Sequence, residues 1–356
     1  MQTLQDLATK RQLLLERVTK GHLKSFSEVY KQAEILLKEA MSLEDELSEM
    51  GIRKLNKFVS TLKQDLTDIF GKAATVYTES TKELAQTFKQ LEFSFFDDEL
   101  NDSRGEKRTI KSKKSSNKAL QRPLRASGGD TVLDIISSNA EHTVKEITKQ
   151  IELQASEGKT NREITRDLIG NKADKIDKSQ FRKLKRRTEA MVRTANNATA
   201  TNARHDLYED NEDVVEGYIW ISTLDFNTSN ICRHLDGKEY KHGKGPLPPA
   251  HYQCRSTTLP KLGDEFSFLL DGSKRSALNG PIDKDVSYYQ WLRRQEKENP
   301  NEVDKVLGKT RAKLFRSGGL TEEEFSKLTI SESLEPLTLD EMRELEPEAF
   351  KKAKLN

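Results

Sequence analysis

The sequence predicts a mainly α-helical protein with one small α+β domain. Through the first 100 residues apolar side chains recur at three- and four-residue steps and proline is absent, which is typical of long helices. The segment VVEGYIWIST at 214–223 is the best strand candidate, because it is rich in β-branched and aromatic residues. Charged residues make up 33% and hydrophobic residues 34% of the 356 residues, a polar composition that favours extended helices over one large globule.

Four regions are expected from changes in composition along the chain. Residues 1–100 form a long-helix bundle or hairpin, and residues 101–130 form a basic flexible linker. Residues 131–262 form a compact α+β domain, and residues 263–356 form a helical C-terminal extension. No stretch approaches the roughly 20 apolar residues that a membrane-spanning helix needs, so no membrane-spanning segment is expected.

Two apolar stripes define the N-terminal helices. Each stripe lies on one helix face, so burial requires the helices to pack against each other or against a partner. Gly71 is expected to break the second helix. The first stripe contains Phe26, Val29, Tyr30, Ala33, Leu36, Leu37 and Ala40, and the second contains Leu55, Phe58, Leu62, Leu66, Ile69 and Phe70.

A basic segment follows, with nine Lys or Arg residues against one Glu between residues 104 and 125. Its Ser, Asn and Pro content and its lack of aromatic residues predict a flexible segment. It is either a solvated tether or an arm that contacts DNA phosphates without reading sequence. The candidate DNA contacts here are Lys107, Arg108, Lys111, Lys113 and Lys114.

Three helices are expected between residues 131 and 210. One runs from Thr131 to about Gly158, and a second begins at a Thr160–Glu163 capping box and stops at Gly170. A third, basic helix has small residues in its second half that permit close approach of another backbone. Its first half is either a solvated charged face or a surface for DNA or an acidic partner, with Arg182, Lys183, Lys185, Arg186 and Arg187 as candidate contacts.

The C-terminal region is expected to be helical after one loop. The segment DGSKRSALNGP at 271–281 predicts a turn-rich loop, and VSYYQWLRRQEKENP predicts a short amphipathic helix. Two further helices are expected to begin at capping boxes, one at Thr321 with Glu324 and one at Thr338 with Glu341.

Both cysteines of the chain lie in CRHLDGKEYKHGKGPLPPAHYQCRS at 232–256. Cys232, His234, His251 and Cys254 have the composition of a tetrahedral zinc site, although one residue between the first two is fewer than usual. A zinc-dependent nuclease or a thiol nucleophile is a second interpretation. The sequence contains no GxSxG, HExxH or GxxxxGK[ST] motif to support either, so no catalytic residue is predicted.

The third interpretation, which we favour, is a structurally locked loop. Gly237 permits a tight turn and the prolines of GPLPP stiffen the segment. Arg255 is expected to fork onto Asp225 or Asp236. Cys232 and Cys254 then either pack as small buried side chains or oxidise to a disulfide outside the cell.

The same segment resembles the signature of the phage Mu F-like minor head proteins, also called phage head morphogenesis proteins. The resemblance covers about 130–260, and residues 1–125 carry no such signature. Many relatives have a second cysteine shortly after the first, where this chain has His234. The matching positions are Trp220, Asp225, Cys232, Leu235, Asp236, Gly237, Pro248, Pro249, His251, Cys254, Arg255 and Ser256.

The resemblance implies a structural, non-enzymatic minor capsid protein of a tailed bacteriophage. Such a protein is present in several copies in the virion, at the portal vertex or in the capsid interior, and is made in the host cytoplasm during assembly. Its expected partners are the portal protein, the inner capsid and packaged double-stranded DNA, which it contacts nonspecifically. The alternatives are a zinc-dependent nuclease or effector delivered with the DNA, and a DNA-binding ejection helper.

Overall fold

The computed structural model describes residues 3–102, 109–112, 116–170, 177–270 and 273–355. The predicted fold class is confirmed, since long N-terminal helices precede a small α+β region and a helical C-terminal part. The predicted DNA contacts Lys107, Arg108, Lys113 and Lys114 lie outside the described residues. None of the described helices is both long enough and apolar enough to cross a lipid bilayer.

The N-terminal part is a hairpin of two long helices, α1 (Leu4–Leu43) and α2 (Ile52–Asp102), joined through a short 3-10 turn at Leu47–Glu49. A capping box between Thr3 and Asp6 begins α1. The predicted break at Gly71 is wrong, because α2 continues through it. One glycine inside a helix costs only about 1 kcal/mol, and burial of the neighbouring Leu66 and Phe70 outweighs that cost.

The second half of the predicted basic linker, residues 116–130, contains regular secondary structure. A short helix, α3 (Ser116–Gln121), leads into a 3-10 turn at Arg125–Ser127. Leu120 and Leu124 are buried in the core beside α2. The high charge of this segment predicted a solvated chain, but its apolar residues face inward. Arg122 is paired with the carboxylates of Asp206 and Glu209 in the long helix that ends at Asp210.

Three helices, α4 (Val132–Ser156), α5 (Asn161–Ile169) and α6 (Gln180–Asp210), pack against the hairpin. The predicted capping boxes at the starts of α4 and α5 are present, and Gly170 ends α5. Every side chain of α6 from Thr194 to Tyr208 is buried, because its small residues let α1 and α2 approach closely. Phe26 of α1 and Phe88 of α2 share one core with residues of α4 and α6.

A three-stranded antiparallel sheet follows α6. Its central strand β1 (Val215–Ile221) pairs with β2 (Glu239–Lys241) on one side and β3 (Thr257–Leu262) on the other, and α7 (Asn230–Leu235) lies between β1 and β2 in sequence. The register shifts between Val215 and Gly217, where a bulge is predicted. Gly217 permits close strand packing, since a Cβ atom there would lie 2.1 Å from the carbonyl oxygen of Tyr240.

The segment predicted as a turn-rich loop is instead a hairpin of β4 (Lys274–Ala277) and β5 (Gly280–Asp283). Its strands are short and polar, so they lack the alternating apolar pattern that marks a strand. The helices that follow are α8 (Tyr288–Glu298), α9 (Pro300–Leu307), α10 (Lys309–Ser317), α11 (Glu322–Thr329), α12 (Leu339–Leu345) and α13 (Pro347–Lys352). Both predicted capping boxes, at the starts of α11 and α12, are present.

Candidate metal centre

Three of the four predicted metal ligands meet between α7 and the start of β3. The Sγ atoms of Cys232 and Cys254 are 3.5 Å apart, and the Nε2 atom of His251 lies 3.3 Å from the Sγ atom of Cys232. Each ligand atom of the three is within 4.8 Å of the others. Both cysteines are buried free thiols, and His251 is half-buried. The cluster therefore brings two soft sulfur ligands and one imidazole to a single point.

The backbone around the cluster is held by polar side chains of α6. The amide of Asn197 donates to the carbonyl oxygen of Cys254 at 2.8 Å. Gln253 adopts the left-handed conformation, with φ of 60°, and its N–H donates to the hydroxyl of Thr194 at 3.0 Å. On the other side, the Ser229 hydroxyl caps α7 by accepting from the N–H of Cys232. The two sulfur atoms are thus positioned by separate, fixed elements.

The imidazole of His251 has a defined orientation. Its Nδ1 atom is 2.8 Å from the carbonyl oxygen of Tyr252. A carbonyl oxygen only accepts hydrogen bonds, so Nδ1 carries the proton and donates it. This contact directs Nε2 toward the two sulfur atoms.

The two thiols have opposite pKa shifts. The contact with Cys232 lowers the pKa of the Cys254 thiol well below its usual range, and the imidazole of His251 lowers it further. The pKa of Cys232 is raised because Cys254 holds its proton in place and burial disfavours its thiolate. Cys254 also raises the pKa of His251. Within the cluster, Cys254 is therefore the first thiol to lose its proton.

The fourth predicted ligand, His234, does not lie with the other three. Its Nδ1 atom lies 2.9 Å from the carbonyl oxygen of Ser326 in α11, and its Nε2 atom faces Lys238. Cys232 and His234 both belong to α7, and residues two apart on a helix point to different faces. Burial lowers the pKa of His234, which keeps its ring neutral.

One ion pair closes the cluster segment against the end of β1. Arg255 donates to both carboxylate oxygens of Asp225, at 2.5 and 2.8 Å, as the predicted fork requires. Asp225 also accepts from the hydroxyl of Thr228 at 3.1 Å and from the N–H of Asn227 at 3.0 Å. Burial alone would raise the pKa of Asp225, but the pair with Arg255 outweighs it and lowers that pKa.

A second and more deeply buried ion pair joins Asp236 to Arg275. The two side chains are 0% and 3% exposed, and Arg275 donates to both carboxylate oxygens at 2.6 and 3.0 Å. Asp236 also accepts from the N–H of Ser222 at 2.8 Å and from that of Tyr288 at 2.7 Å. Sequence reasoning missed Arg275, because it lies 39 residues away in the segment predicted as a loop.

Four further signature residues lie in the core or in the turns and loops around the cluster. Trp220 is fully buried and its indole N–H donates to the hydroxyl of Ser222 at 2.9 Å. Gly237 has φ of +78°, and its N–H donates to the carbonyl oxygen of Trp220 at 2.9 Å. Pro248 and Pro249 are joined by a cis peptide bond in the loop before His251. These contacts match the predicted locked loop.

None of the described basic candidates lines the cleft beside the cluster. Lys183, Lys185, Arg186 and Arg187 are exposed on the first half of α6. Arg182 is half-buried and donates to the carbonyl oxygen of Asp177 at 2.9 Å, so it is partly occupied within the fold. Lys111 is exposed and lies 3.6 Å from a carboxylate oxygen of Asp213. The candidates with exposed side chains therefore concentrate on α6.

Comparison with known proteins agrees with the signature at this site. Residues 142–259 match the family model described as Phage Mu protein F like protein. No curated protein and no solved structure matches this chain. The matched segment begins in α4, contains all of α6 and ends in β3, and it includes Cys232, His251, Cys254 and both signature aspartates. The resemblance drawn from the sequence to the phage Mu F-like proteins is therefore confirmed over residues 142–259.

Proposed function

We propose that this protein is a structural minor component of a tailed-phage head, located at the portal vertex or in the capsid interior. The family match indicates a phage head morphogenesis protein. The observation that supports a structural role is that both signature carboxylates are paired with arginines. Asp225 and Asp236 each form a two-pronged pair with an arginine, so both hold the fold together.

The surroundings of the cluster also favour an architectural role over a metal-dependent nuclease. Hydrolysis of a phosphodiester at a metal centre is assisted by a carboxylate or imidazole that accepts a proton. The carboxylates that line the cleft beside His251 belong to Glu16 and Glu189. Among the described residues, Arg193 approaches both, at 3.7 Å from Glu16 and 3.1 Å from Glu189. Neither is an unpaired base.

We place the proposed DNA contact on the first half of α6. Four exposed cationic side chains within one and a half turns create a local positive field that attracts phosphate and releases counterions. The second half of the helix is buried, so contact is confined to this end. The four residues are Lys183, Lys185, Arg186 and Arg187.

The head assignment is tested in phage particles. Deleting the gene and supplying a tagged copy in trans should restore infectivity, and mass spectrometry should find the protein at low copy in procapsids and virions. Absence from both kinds of particle, or normal assembly and infection without it, would overturn the proposal. Comparing full particles with particles emptied of DNA then distinguishes a resident head protein from an ejected helper.

The DNA contact is tested by the salt dependence of binding to unrelated duplexes. Each lost phosphate contact should reduce the slope of log K against log salt by about 0.9, so removing four charges should reduce it by about 3–4. A control in which four exposed cationic residues of α2 are also replaced by Gln should keep the wild-type slope. Equal weakening by both variants would refute a site on α6. The test variant changes Lys183, Lys185, Arg186 and Arg187 to Gln, and the control changes Arg53, Lys54, Lys57 and Lys63 to Gln.

A further inference from the structure

We propose that Cys232, Cys254 and His251 form a zinc site with three protein ligands and a fourth position open to solvent. Two buried sulfur atoms and one imidazole nitrogen already converge within 4.8 Å. Thiolate and imidazole are the ligands that select zinc among the common divalent ions. The site differs from the four-ligand set expected from the sequence, because His234 is held against α11.

Two of the three distances between the ligand atoms are close to those around a tetrahedral zinc ion. With Zn–S bonds of about 2.3 Å and a Zn–N bond of about 2.0–2.1 Å, the sulfur–sulfur edge is about 3.8 Å and the sulfur–nitrogen edge about 3.5 Å. The corresponding distances are 3.5 Å between Cys232 and Cys254 and 3.3 Å between Cys232 and His251. Shifts of roughly 0.2–0.3 Å would bring these two edges to the zinc geometry. The third edge, between the Cys254 sulfur and the His251 imidazole, lies within 4.8 Å and must shorten to about 3.5 Å around the ion.

The contacts around the ligands are those that zinc sites use. A ligating histidine donates its other ring N–H to a carbonyl or carboxylate, which fixes the tautomer and the ring plane. The Nδ1 atom of His251 makes this contact with the carbonyl oxygen of Tyr252 at 2.8 Å. Asn197 fixes the backbone of Cys254, and Ser229 fixes that of Cys232. All three ligands are therefore oriented by the surrounding protein.

The fourth position is assigned from the cleft beside the cluster. His251 and Cys254 line a cleft of about 470 Å³, together with Asn227 and Glu16 of α1. A water molecule from this cleft can reach an ion held by the three ligands. The three-ligand arrangement with one exchangeable position follows from this geometry.

A disulfide between Cys232 and Cys254 is the competing use of the same thiols. It would bring the sulfur atoms from 3.5 Å to about 2.05 Å and would need an oxidant. It gives no role to the imidazole, whose Nε2 atom is directed at the sulfur atoms. The orientation of His251 is the observation that favours the metal.

The test uses the full chain, purified from a reducing cytoplasm without chelator. We expect one equivalent of bound zinc by elemental analysis and native mass spectrometry. Replacement by Co²⁺ should produce thiolate-to-cobalt charge-transfer bands and the strong visible bands of a four-coordinate ion. His251→Ala should weaken zinc binding at least about 100-fold, and His251→Cys should restore tight binding because thiolate can replace imidazole. His234→Ala is the matched control and should bind zinc as the wild type does.

Three results would overturn the proposal. The first is chelator-treated, reduced protein that takes up neither Zn²⁺ nor Co²⁺ although circular dichroism shows it folded. The second is equal loss of zinc in the His234→Ala and His251→Ala variants. The third is an intact mass showing an oxidised Cys232–Cys254 pair in freshly isolated protein. None of these results bears on the presence of the protein in phage particles, so this site and the head assignment are tested separately.

Discussion

The buried ion pair between Arg11 and Glu92 gives the sharpest stability prediction. Arg11 of α1 and Glu92 of α2 are 2% and 0% exposed, and two guanidinium nitrogens of Arg11 contact the carboxylate. Glu92 also accepts from the hydroxyl of Tyr208 at 3.0 Å. Arg11 donates further to the carbonyl oxygen of Thr258 at 3.1 Å. The pair thus connects the N-terminal hairpin to α6 and β3.

Replacing Glu92 with Gln should lower the free energy of unfolding by about 3–5 kcal/mol, the cost of leaving a buried charge without its partner. A second buried cation increases the effect. Arg204 is 2% exposed, and burial together with the positive charge of Arg11 lowers its pKa to about 10. Its guanidinium donates to the hydroxyls of Thr201 and Thr257. The negative charge of Glu92 therefore offsets two guanidinium groups.

The assay is urea unfolding followed by far-ultraviolet circular dichroism at pH 7. The matched control is Glu28→Gln, which removes an exposed ion pair with Lys31 and should change the unfolding free energy by less than about 0.5 kcal/mol. Replacing both Arg11 and Glu92 with Met should lower the unfolding free energy by less than the sum of the Arg11→Met and Glu92→Met losses. The coupling energy should be about 2–3 kcal/mol. A Glu92→Gln loss no larger than that of the control, or a coupling near zero, would refute the reasoning.

Three further predictions follow from buried or crowded positions. His205 is fully buried, and burial keeps its pKa well below 6.5, so the unfolded state binds more protons than the folded state. The unfolding free energy should therefore fall by up to about 1.4 kcal/mol per pH unit below pH 6.5. Between pH 5 and 7 the unfolding free energy of His205→Gln should depend less on pH than that of the wild type, and an unchanged slope would contradict this. Gly217→Ala forces a Cβ atom against a β2 carbonyl 2.1 Å away and should lower the melting temperature by several degrees, equivalent to about 1–3 kcal/mol, whereas Gly71→Ala meets nothing within 4 Å and should be neutral or stabilising. Asp236→Asn leaves Arg275 as an unpaired buried cation and should cost about 3–5 kcal/mol by urea unfolding; a loss below about 1 kcal/mol would show that the pair does not hold the loop.

The features of this fold that the sequence predicted depend on short sequence patterns. Capping boxes such as Thr160 with Glu163 mark helix starts because three residues suffice to make the contact. The bulge at Gly217 was likewise predictable, since it is a single glycine in a β-branched run. The sequence also limited the expected partner of Arg255 to Asp225 or Asp236, and the structure shows the pair with Asp225.

What the sequence did not reveal depends on contacts between distant residues. Arg275 pairs with Asp236 across 39 residues, and no local pattern marks either as a partner of the other. Leu120 is buried by α2 and α6 although the charge around it predicts a solvated segment. His234 has the right residue type for a zinc ligand, but the helical path of α7 turns it away from Cys232. Helix geometry would have shown this, had the loop been recognised as a helix.

Polar contacts of α6 fix the position of α1 and α2, the two helices that carry no family signature. Asn196 donates to the hydroxyl of Thr19 at 2.9 Å and accepts from Tyr77 at the same distance, and Tyr30 contacts Thr188 at 2.9 Å. Buried hydrogen bonds of this kind disfavour any other position of α1 and α2 relative to α6, because a shift would leave buried polar groups without partners. The hairpin therefore packs against the buried face of α6 in one arrangement. The basic first half is left exposed, which is why we place the DNA contact there.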